Sequence, residues 1–211
     1  MSKKTYKDLM TDIKHYLNRT DEDTLSRIPT WVHLAQDQLD RILRHPAAEI
    51  VMSYPVKVGS DIIPIPHNLI ELKNLRNTDT GDVLYRRSLE TLYSTPLHSK
   101  YPTGYSRKGA EYVLNKKSEV DFIMEVIFYV APAKLEKQSD VNLYTMQCYD
   151  MMMYYALAEG FSYLQDMQNA QYYQQKADTS YNMLMESIRR EEFSGSTLVY
   201  FSDQEELSNY F

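Results

Sequence analysis

The chain has 211 residues, of which 43% are hydrophobic and 25% are charged, as is usual for one globular domain with a substantial core. Its single cysteine, Cys148, excludes an intrachain disulfide, and no apolar run approaches the length that spans a bilayer. The first ten residues, MSKKTYKDLM, lack the apolar stretch of a signal peptide, so we expect folding in a reducing cytoplasm.

The formal net charge of −6 is unevenly distributed along the chain. Residues 1–118 carry 18 basic and 14 acidic side chains, a balance of +4, whereas residues 119–211 carry 5 and 15, a balance of −10. A protein that grips nucleic acid through its phosphates presents a basic surface. The charge pattern therefore predicts no tight DNA binding, although weak contact with DNA sliding through a channel would not need such a surface.

Tyrosine is unusually common, with 19 residues against 6 phenylalanines and 1 tryptophan. Its large apolar ring and polar tip suit surfaces that are buried against a partner. The alternative is a tyrosine-rich core whose ring edges reach solvent. We favour interfaces because so many tyrosines crowd the helices, and the candidate subunit-interface residues are Tyr154, Tyr155, Tyr172 and Tyr173.

Two helices open the chain. The first is predicted over Thr5 to Asn18, with Thr5 and Asp8 in a capping-box spacing, and residues 19–23 break it. The second is predicted to begin at Ile28-Pro29-Thr30, because the first turn of a helix tolerates proline, and to end at His45-Pro46. Its apolar face has helical spacing and comprises Trp31, Leu34, Ala35, Leu39 and Ile42.

Residues 47–132 change to a strand pattern. Residues 49–58 and 62–66 flank Gly59-Ser60-Asp61 and predict a hairpin. Residues 69–77 and 83–90 flank a second turn at 80–82, and glycines 104 and 109 punctuate two shorter strands. The strand at 121–132 is apolar on one face and mostly apolar on the other, which indicates cover on both sides. Prolines 55, 64 and 66 favour edge strands or bends.

Two further helices are predicted as an antiparallel hairpin. Residues 142–164 are apolar almost all round, so this helix should be the most buried element, and Asp150 within it would need a partner. Asp166 is placed to cap the next helix, and Gly195 to stop it. The apolar stripe of this last helix comprises Ala170, Tyr173, Ala177, Tyr181, Leu184 and Ile188.

The C-terminal segment 193–211, FSGSTLVYFSDQEELSNYF, has a different composition, with aromatic residues among serines and acids. Such a segment cannot bury its rings against itself. We interpret it as a docking arm for a partner or neighbour, with Tyr200, Phe201, Tyr210 and Phe211 as the candidate docking residues. A frayed terminus with accidental aromatics is the alternative.

The sequence contains no pattern that indicates catalysis. Histidines 15, 33, 45, 67 and 98 have no metal-ligand spacing, and glycine motifs for phosphate or dinucleotide binding are missing. Thr20-Asp21-Glu22-Asp23 could suggest a carboxylate metal site for a nuclease, but such a run is more often a loop and helix start. Cys148 lies in an apolar helix and predicts an inert buried thiol. We therefore expect no enzyme, metal or cofactor.

Several segments together resemble tailed-phage head-to-tail adaptor proteins, also called connector or head-completion proteins. They are the N-R-T-D turn with RIPT and a helix ending in DRILR, IPIPHNLIELKNL, KYPTGYSRKGAEYVLN, and the strand-to-helix segment from FYVAPAKLEKQ to GFSYLQD. The similarity covers nearly all of residues 5–192. Family members often have a proline before the position of Asp150 in a YPD-like helix start. Gln147-Cys148-Tyr149-Asp150 departs from that pattern and leaves the start of the helix open.

The resemblance implies a structural protein of the virion neck, in a ring of usually twelve copies beneath the portal. Such a ring extends the channel through which genomic DNA passes without specific binding, and tail or nozzle proteins attach to it. Assembly would take place in the host cytoplasm without a membrane. The alternatives are another neck or tail-completion protein and, less favoured, a small DNA-binding protein or metal-dependent nuclease.

The fold class predicted is α+β, mainly α: two N-terminal and two long C-terminal helices, an inserted small antiparallel β subdomain and an extended arm. The adaptor domain would span 1–192, divided into helices at 1–46, the β-rich insertion at 47–132 and the helical hairpin at 133–192. The docking arm would span 193–211.

Overall fold

The computed structural model describes residues 3–94 and 99–192 and shows an α+β protein that is mainly helical, as predicted. Its helices are α1 (Tyr6–Leu17), α2 (Glu22–Ile42), α3 (Leu89–Ser94), α4 (Leu143–Gln147), α5 (Tyr149–Tyr163) and α6 (Met167–Glu192), with a 3-10 turn at Pro46–Ala48. Its strands are β1 (Glu49–Val56), β2 (Ile62–Pro64), β3 (Leu69–Asn77), β4 (Tyr85–Arg86), β5 (Gly104–Lys108), β6 (Glu111–Leu114) and β7 (Phe122–Val130).

Helices α1, α2, α4, α5 and α6 share one hydrophobic core with α5 at its centre, whereas α3 packs against β5. α5 packs against α1, α2 and α6, and its Met152, Ala156 and Leu157 are fully buried. The first helix begins as predicted, because the Thr5 side chain accepts the Asp8 N–H while the Asp8 carboxylate accepts the Thr5 N–H. This reciprocal cap pairs two amides that have no partner within the helix.

α2 begins earlier than predicted. Its N-cap is Asp21, whose carboxylate accepts the Thr24 N–H at 3.1 Å, and Pro29 lies inside the helix. The prediction of a start at Ile28-Pro29-Thr30 is therefore wrong. The acidic residues Glu22 and Asp23 form the first turn, where the helix dipole favours negative charge. Because proline normally marks the first turn of a helix, the sequence pattern does not reveal the six helical residues that precede Ile28.

The buried face of α2 also differs in part from the prediction. Trp31, Ala35 and Leu39 are buried and Ile42 is half-buried, as expected, but Leu34 is 44% exposed. Ile28 and Val32 lie on the buried face instead. Once the helix includes Ile28, its stripe passes through Val32, Ala35 and Leu39, so Leu34 falls beside the stripe.

The strands form two sheets around a second core, one with the order β1-β7-β3 and one with the order β2-β6-β5-β4. Neighbours are antiparallel except β4 and β5. β1 pairs with β7 and β2 with β6, so the predicted hairpin of residues 49–66 is wrong. Gly59, with φ +82°, makes the expected turn, but there the chain passes from one sheet to the other. A turn signal fixes the local bend and not the partner of each strand.

The turn predicted at residues 80–82 and the edge strands are confirmed, but the strand pattern of residues 83–90 yields only β4, and α3 begins within it. Gly81, with φ +78°, lies in the turn closed by the Asn77 N–H and the Asp82 carbonyl at 2.8 Å, and Gly109 joins β5 to β6 in a hairpin. β1 and β2, which contain Pro55 and Pro64, are edge strands of their sheets. Proline removes one N–H from a ladder and is therefore tolerated at an edge.

β7 is the central strand of its sheet, and the subunit covers its two faces unequally. Phe122, Met124, Val126 and Phe128 are at most 5% exposed, whereas Ile123 on the other face is 48% exposed. Tyr129, at the end of that second face, is 8% exposed, so the expectation of cover on both sides is confirmed there and wrong at Ile123. The apolar pattern of a strand does not tell cover by its own chain from cover by a partner.

The connection from β7 to α4 is fastened to α2. The Gln36 side-chain amide donates to the carbonyls of Pro132 and Ala133, and the His33 ring is 2.8 Å from the Leu135 carbonyl. A salt bridge of 2.7 Å joins Arg44, after α2, to Glu71 in β3. These bonds attach the sheet core to the helical core.

The predicted helix over residues 142–164 is two helices. Cys148, with φ −133° and ψ 30°, separates α4 from α5, so the single-helix prediction is wrong. Asp150 is exposed in the first turn of α5 and needs no buried partner. The following helix agrees with prediction. The Asp166 carboxylate accepts the Asn169 N–H at 3.2 Å at its start, and its predicted stripe is buried or half-buried.

Candidate assembly surfaces

A cluster of aromatic rings lies on one side of the α5–α6 hairpin. We call it the tyrosine face and define it by Tyr16, Tyr154, Phe161, Tyr172, Tyr173 and Lys176. Tyr173 is at its centre, stacked on Phe161 with ring centroids 5.4 Å apart, and the centroids of the three other tyrosines lie 5.1 to 6.4 Å from its own. α1, α5 and α6 thus each contribute a ring, which fixes the rings relative to one another.

Lys176 sits between two tyrosines of this face. Its Nζ lies 5.1 Å from the ring centroid of Tyr154 and 5.1 Å from that of Tyr172, within the range of cation–π attraction. A hydrogen bond with Tyr172 raises the pKa of Lys176. The Tyr172 side chain remains 49% exposed, so an aromatic surface whose lysine already contacts two rings is open to a partner.

The rest of α6 is poor in charge over most of its length. From Met167 to Met185 its only charged residues are Lys176 and Asp178, and the Asp178 carboxylate accepts the Tyr155 hydroxyl at 3.0 Å and the Gln174 amide at 3.2 Å. The exposed positions carry amides, hydroxyls and methionines, of which Met183 is 68% exposed. Scarcity of unpaired charge is typical of the buried part of a protein interface.

Tyr155 does not belong to this surface. It is 1% exposed in the helical core, and burial, with the Asp178 bond, raises the pKa of its hydroxyl. The tyrosine face therefore contains Tyr154, Tyr172 and Tyr173 of the four candidate interface residues. The candidate docking residues Tyr200, Phe201, Tyr210 and Phe211, and the predicted stop at Gly195, lie outside the described residues.

Many of the other tyrosines fasten elements together through their hydroxyl groups. The pairs that join a tyrosine to a carboxylate are Tyr101–Asp79, Tyr129–Glu49, Tyr144–Asp40, Tyr149–Asp12, Tyr155–Asp178 and Tyr163–Asp23. The tyrosine-rich core and the tyrosine-rich surface are thus both present. Sequence reasoning missed these bonds because the partners of Tyr144 and Tyr149 lie 104 and 137 residues away, without a local pattern.

The described residues offer little for chemistry. Within 3–94 and 99–192, no group of histidine, cysteine, aspartate and glutamate is arranged to hold a metal ion. In the acidic run, Asp21 caps α2, and the Asp23 carboxylate accepts a hydrogen bond from the Tyr163 hydroxyl. Burial raises the pKa of the Cys148 thiol to about 12. In the same part of the chain, every helix is too short or too polar to cross a bilayer.

Residues 4–199 match the family described as SU10 adaptor protein, which is most of the chain. A comparison with curated protein sequences finds no match. The chain therefore belongs to the SU10 adaptor protein family of phage head-to-tail adaptors, structural proteins of the virion.

Proposed function

We propose that the protein forms a ring beneath the portal, in the neck of the virion, and that this ring contains twelve copies. The ring extends the DNA channel and offers its far side to a tail or nozzle protein. Its role is assembly rather than catalysis. The observation that carries this proposal is the tyrosine face together with the charge-poor side of α6 beside it.

A ring needs two different surfaces on each subunit, because neighbours meet in a head-to-tail manner. The tyrosine face supplies one of them. Tyr172 and Met183 are exposed on α6. Burying these two side chains against a neighbour would remove apolar area from water without desolvating a charge. We propose that the α5–α6 hairpins pack side by side around the ring through this surface.

The charge balance suits a channel through which DNA slides. Asp150 and Glu159 of α5 and Glu186 of α6 are exposed, in the acidic part of the chain. Carboxylates on a channel wall would repel phosphates and prevent tight binding of the genome. We propose that DNA passes this protein without specific binding.

The segment 193–211 is proposed as the docking arm of an adaptor domain that spans residues 1–192, with its parts at 1–46, 47–132 and 133–192. In the assembled neck, Tyr200, Phe201, Tyr210 and Phe211 would be buried against the portal or a neighbouring subunit. Assembly would follow folding of the subunit in the host cytoplasm.

The test is the native mass of the purified full chain, alone and mixed with portal protein from the same phage. A chain that becomes part of a ring-sized assembly in the presence of portals supports the proposal. A chain that ignores the portal and binds a tail component instead would identify another neck or tail-completion protein. A chain that associates with neither the portal nor a tail component would contradict the proposed role in the virion neck.

A further inference from the structure

β1 leaves one side of its sheet open. Among the described residues, it is bordered by β7 on one edge and by no strand on the other. Every second residue of such an edge strand directs its N–H and C=O groups away from the sheet. β1 has eight residues, whereas the edge strands of the other sheet, β2 and β4, have three and two. β3, the other edge strand of the same sheet, has nine residues, but its end is occupied by a bridge from Arg76 to Val83. Within the described part of the chain β1 has no such bridge, and open edges accept added strands.

Both faces of β1 carry apolar side chains that its own sheet covers incompletely. On the inner face, Ile50 is 44% exposed although its cross-strand partner Phe128 is 3% exposed. Met52 and Tyr54, also on the inner face, are half-buried. On the outer face, Val51 is 58% exposed. A strand placed beside β1 would lie next to apolar side chains on both faces. To cover them, it would need apolar residues in both of its alternating sets.

Residues 197–201 of this chain, Thr-Leu-Val-Tyr-Phe, have that composition. They contain no charge, glycine or proline, and threonine, valine, tyrosine and phenylalanine are residues that favour strands. Leu198 and Tyr200 would lie on one face of a strand, and Val199 and Phe201 on the other. Ser194-Gly195-Ser196 precedes this run with residues typical of a turn.

The end of α6 lies near the start of β1. The Tyr181 hydroxyl donates to the Ile42 carbonyl at 3.2 Å, which places this part of α6 beside the end of α2. Burial lowers the pKa of His45, and the nearby Glu191 carboxylate opposes that shift. Glu49, the first residue of β1, follows His45 by four positions. Residues 193–196 can extend about 13 Å towards β1, and residues 197–201 can then follow about 16 Å of its length of about 26 Å.

We propose that β1 is a strand-accepting edge and that residues 197–201 of the same subunit occupy it before assembly. The pairing continues the sheet by one strand and covers Ile50 and Val51 on its two faces. It protects the free subunit from edge-to-edge association with other copies. This proposal concerns the unassembled chain and does not depend on formation of the ring. When the arm docks in the assembled neck, residues 197–201 leave β1.

Hydrogen exchange of the full-length free chain tests this pairing. The variant Val199→Pro lacks one backbone N–H donor in the proposed strand, and this disrupts its pairing with β1. The amides of β1 should therefore exchange at least about tenfold faster than in the unchanged chain. Amides of α5 should keep their exchange rates. The matched control is Ser208→Pro, which places the same residue beyond the proposed strand and should leave β1 unchanged.

Equal exchange of β1 in Val199→Pro and the unchanged chain would overturn the proposal. Pairing within one subunit must also survive dilution, so protection of β1 that disappears on about 100-fold dilution would assign the added strand to a neighbour and overturn it as well. Both substitutions lie outside the described fold, and the constant exchange of α5 verifies that the subunit is intact. These outcomes are independent of whether the chain associates with portals.

Discussion

The Tyr144 hydroxyl in α4 donates a hydrogen bond of 2.7 Å to the Asp40 carboxylate in α2. Tyr144 is 2% exposed, and burial together with this bond raises the pKa of its hydroxyl. Asp40 also lies 3.6 Å from Lys134 in the connection from β7 to α4. One carboxylate therefore ties α2 both to α4 and to the segment that leaves the sheet.

Removing that hydroxyl should destabilise the subunit. Tyr144→Phe keeps the ring and deletes a hydrogen bond to a charged acceptor, so we expect the free energy of unfolding to fall by about 1.5–3 kcal/mol. Denaturant unfolding of the free subunit measures the change. The matched control is Tyr85→Phe, because that side chain is 70% exposed and its hydroxyl lies in solvent-accessible surroundings. Equal effects of both substitutions would contradict the role assigned to the Asp40 bond.

Gly160 marks a close approach between helices. A Cβ added there would lie 3.1 Å from the Trp31 ring and 3.2 Å from Leu17 Cδ2. We expect Gly160→Ala to destabilise the subunit by about 1–3 kcal/mol, because overpacking outweighs the better helix propensity of alanine. Thermal and denaturant unfolding would show this, with Ser162→Ala on the exposed side of α5 as the control. A stabilised Gly160→Ala variant would mean that Trp31 moves aside easily.

Asp140 should make stability depend on acid pH. Its carboxylate accepts the backbone N–H groups of Glu136 and Lys137 at 2.9 and 2.8 Å, and these bonds lower its pKa. Because the folded-state pKa is below the unfolded one, its stabilisation is present above about pH 4 and is lost as pH falls through the folded-state value. The stability difference between the unchanged chain and Asp140→Asn should therefore shrink between pH 7 and pH 3.

Denaturant midpoints at those two pH values measure this difference. Asp82→Asn, at an exposed turn position, serves as the control for the loss of one carboxylate. If the difference for Asp140→Asn stayed constant or grew on acidification, the two backbone bonds would not be the source of the stabilisation.

Charge placed on the exposed side of α6 should block assembly without unfolding the subunit. Met183→Lys introduces a cation at a side chain that is 68% exposed, so the free subunit should keep its unfolding midpoint within experimental spread. If that surface meets a neighbour, burying an unpaired ammonium is unfavourable, and association with portals should weaken at least about tenfold. Thr11→Lys, on the exposed side of α1, is the control. Normal assembly of Met183→Lys would remove α6 from the proposed interface.

Removal of residues 196–211 should weaken attachment while leaving the helical fold intact. The reason is the loss of the clustered rings Tyr200, Phe201, Tyr210 and Phe211, each of which would bury apolar area on docking. Co-sedimentation with portals measures attachment, and circular dichroism measures helix content. Full retention of the shortened chain on portals would refute the docking arm.

Sequence reasoning located elements well where a local rule governs them. The Thr5–Asp8 cap and the apolar alternation of β7 follow from neighbours within a few residues, and both are present. The start of α2 was misplaced because Pro29 lies inside the helix, which has the buried residue Ile28 before the proline and Trp31 after it. The turn at Gly59 was placed, but the partner of β1 is β7, more than sixty residues along the chain. Composition and helix position pointed to Tyr154, Tyr172 and Tyr173 of the tyrosine face. Tyr155 was named with them but is buried, because its side of α5 faces the core.

The break between α4 and α5 places the only cysteine of the chain, fully buried, in the helical core. A thiol with a raised pKa and no access to solvent reacts slowly with maleimides. A cysteine introduced on an exposed position, such as Thr80 in the turn after β3, would therefore be labelled selectively without replacement of Cys148. Such a variant would carry one fluorophore or spin label per subunit, with which the separation of subunits in an assembled neck can be measured directly.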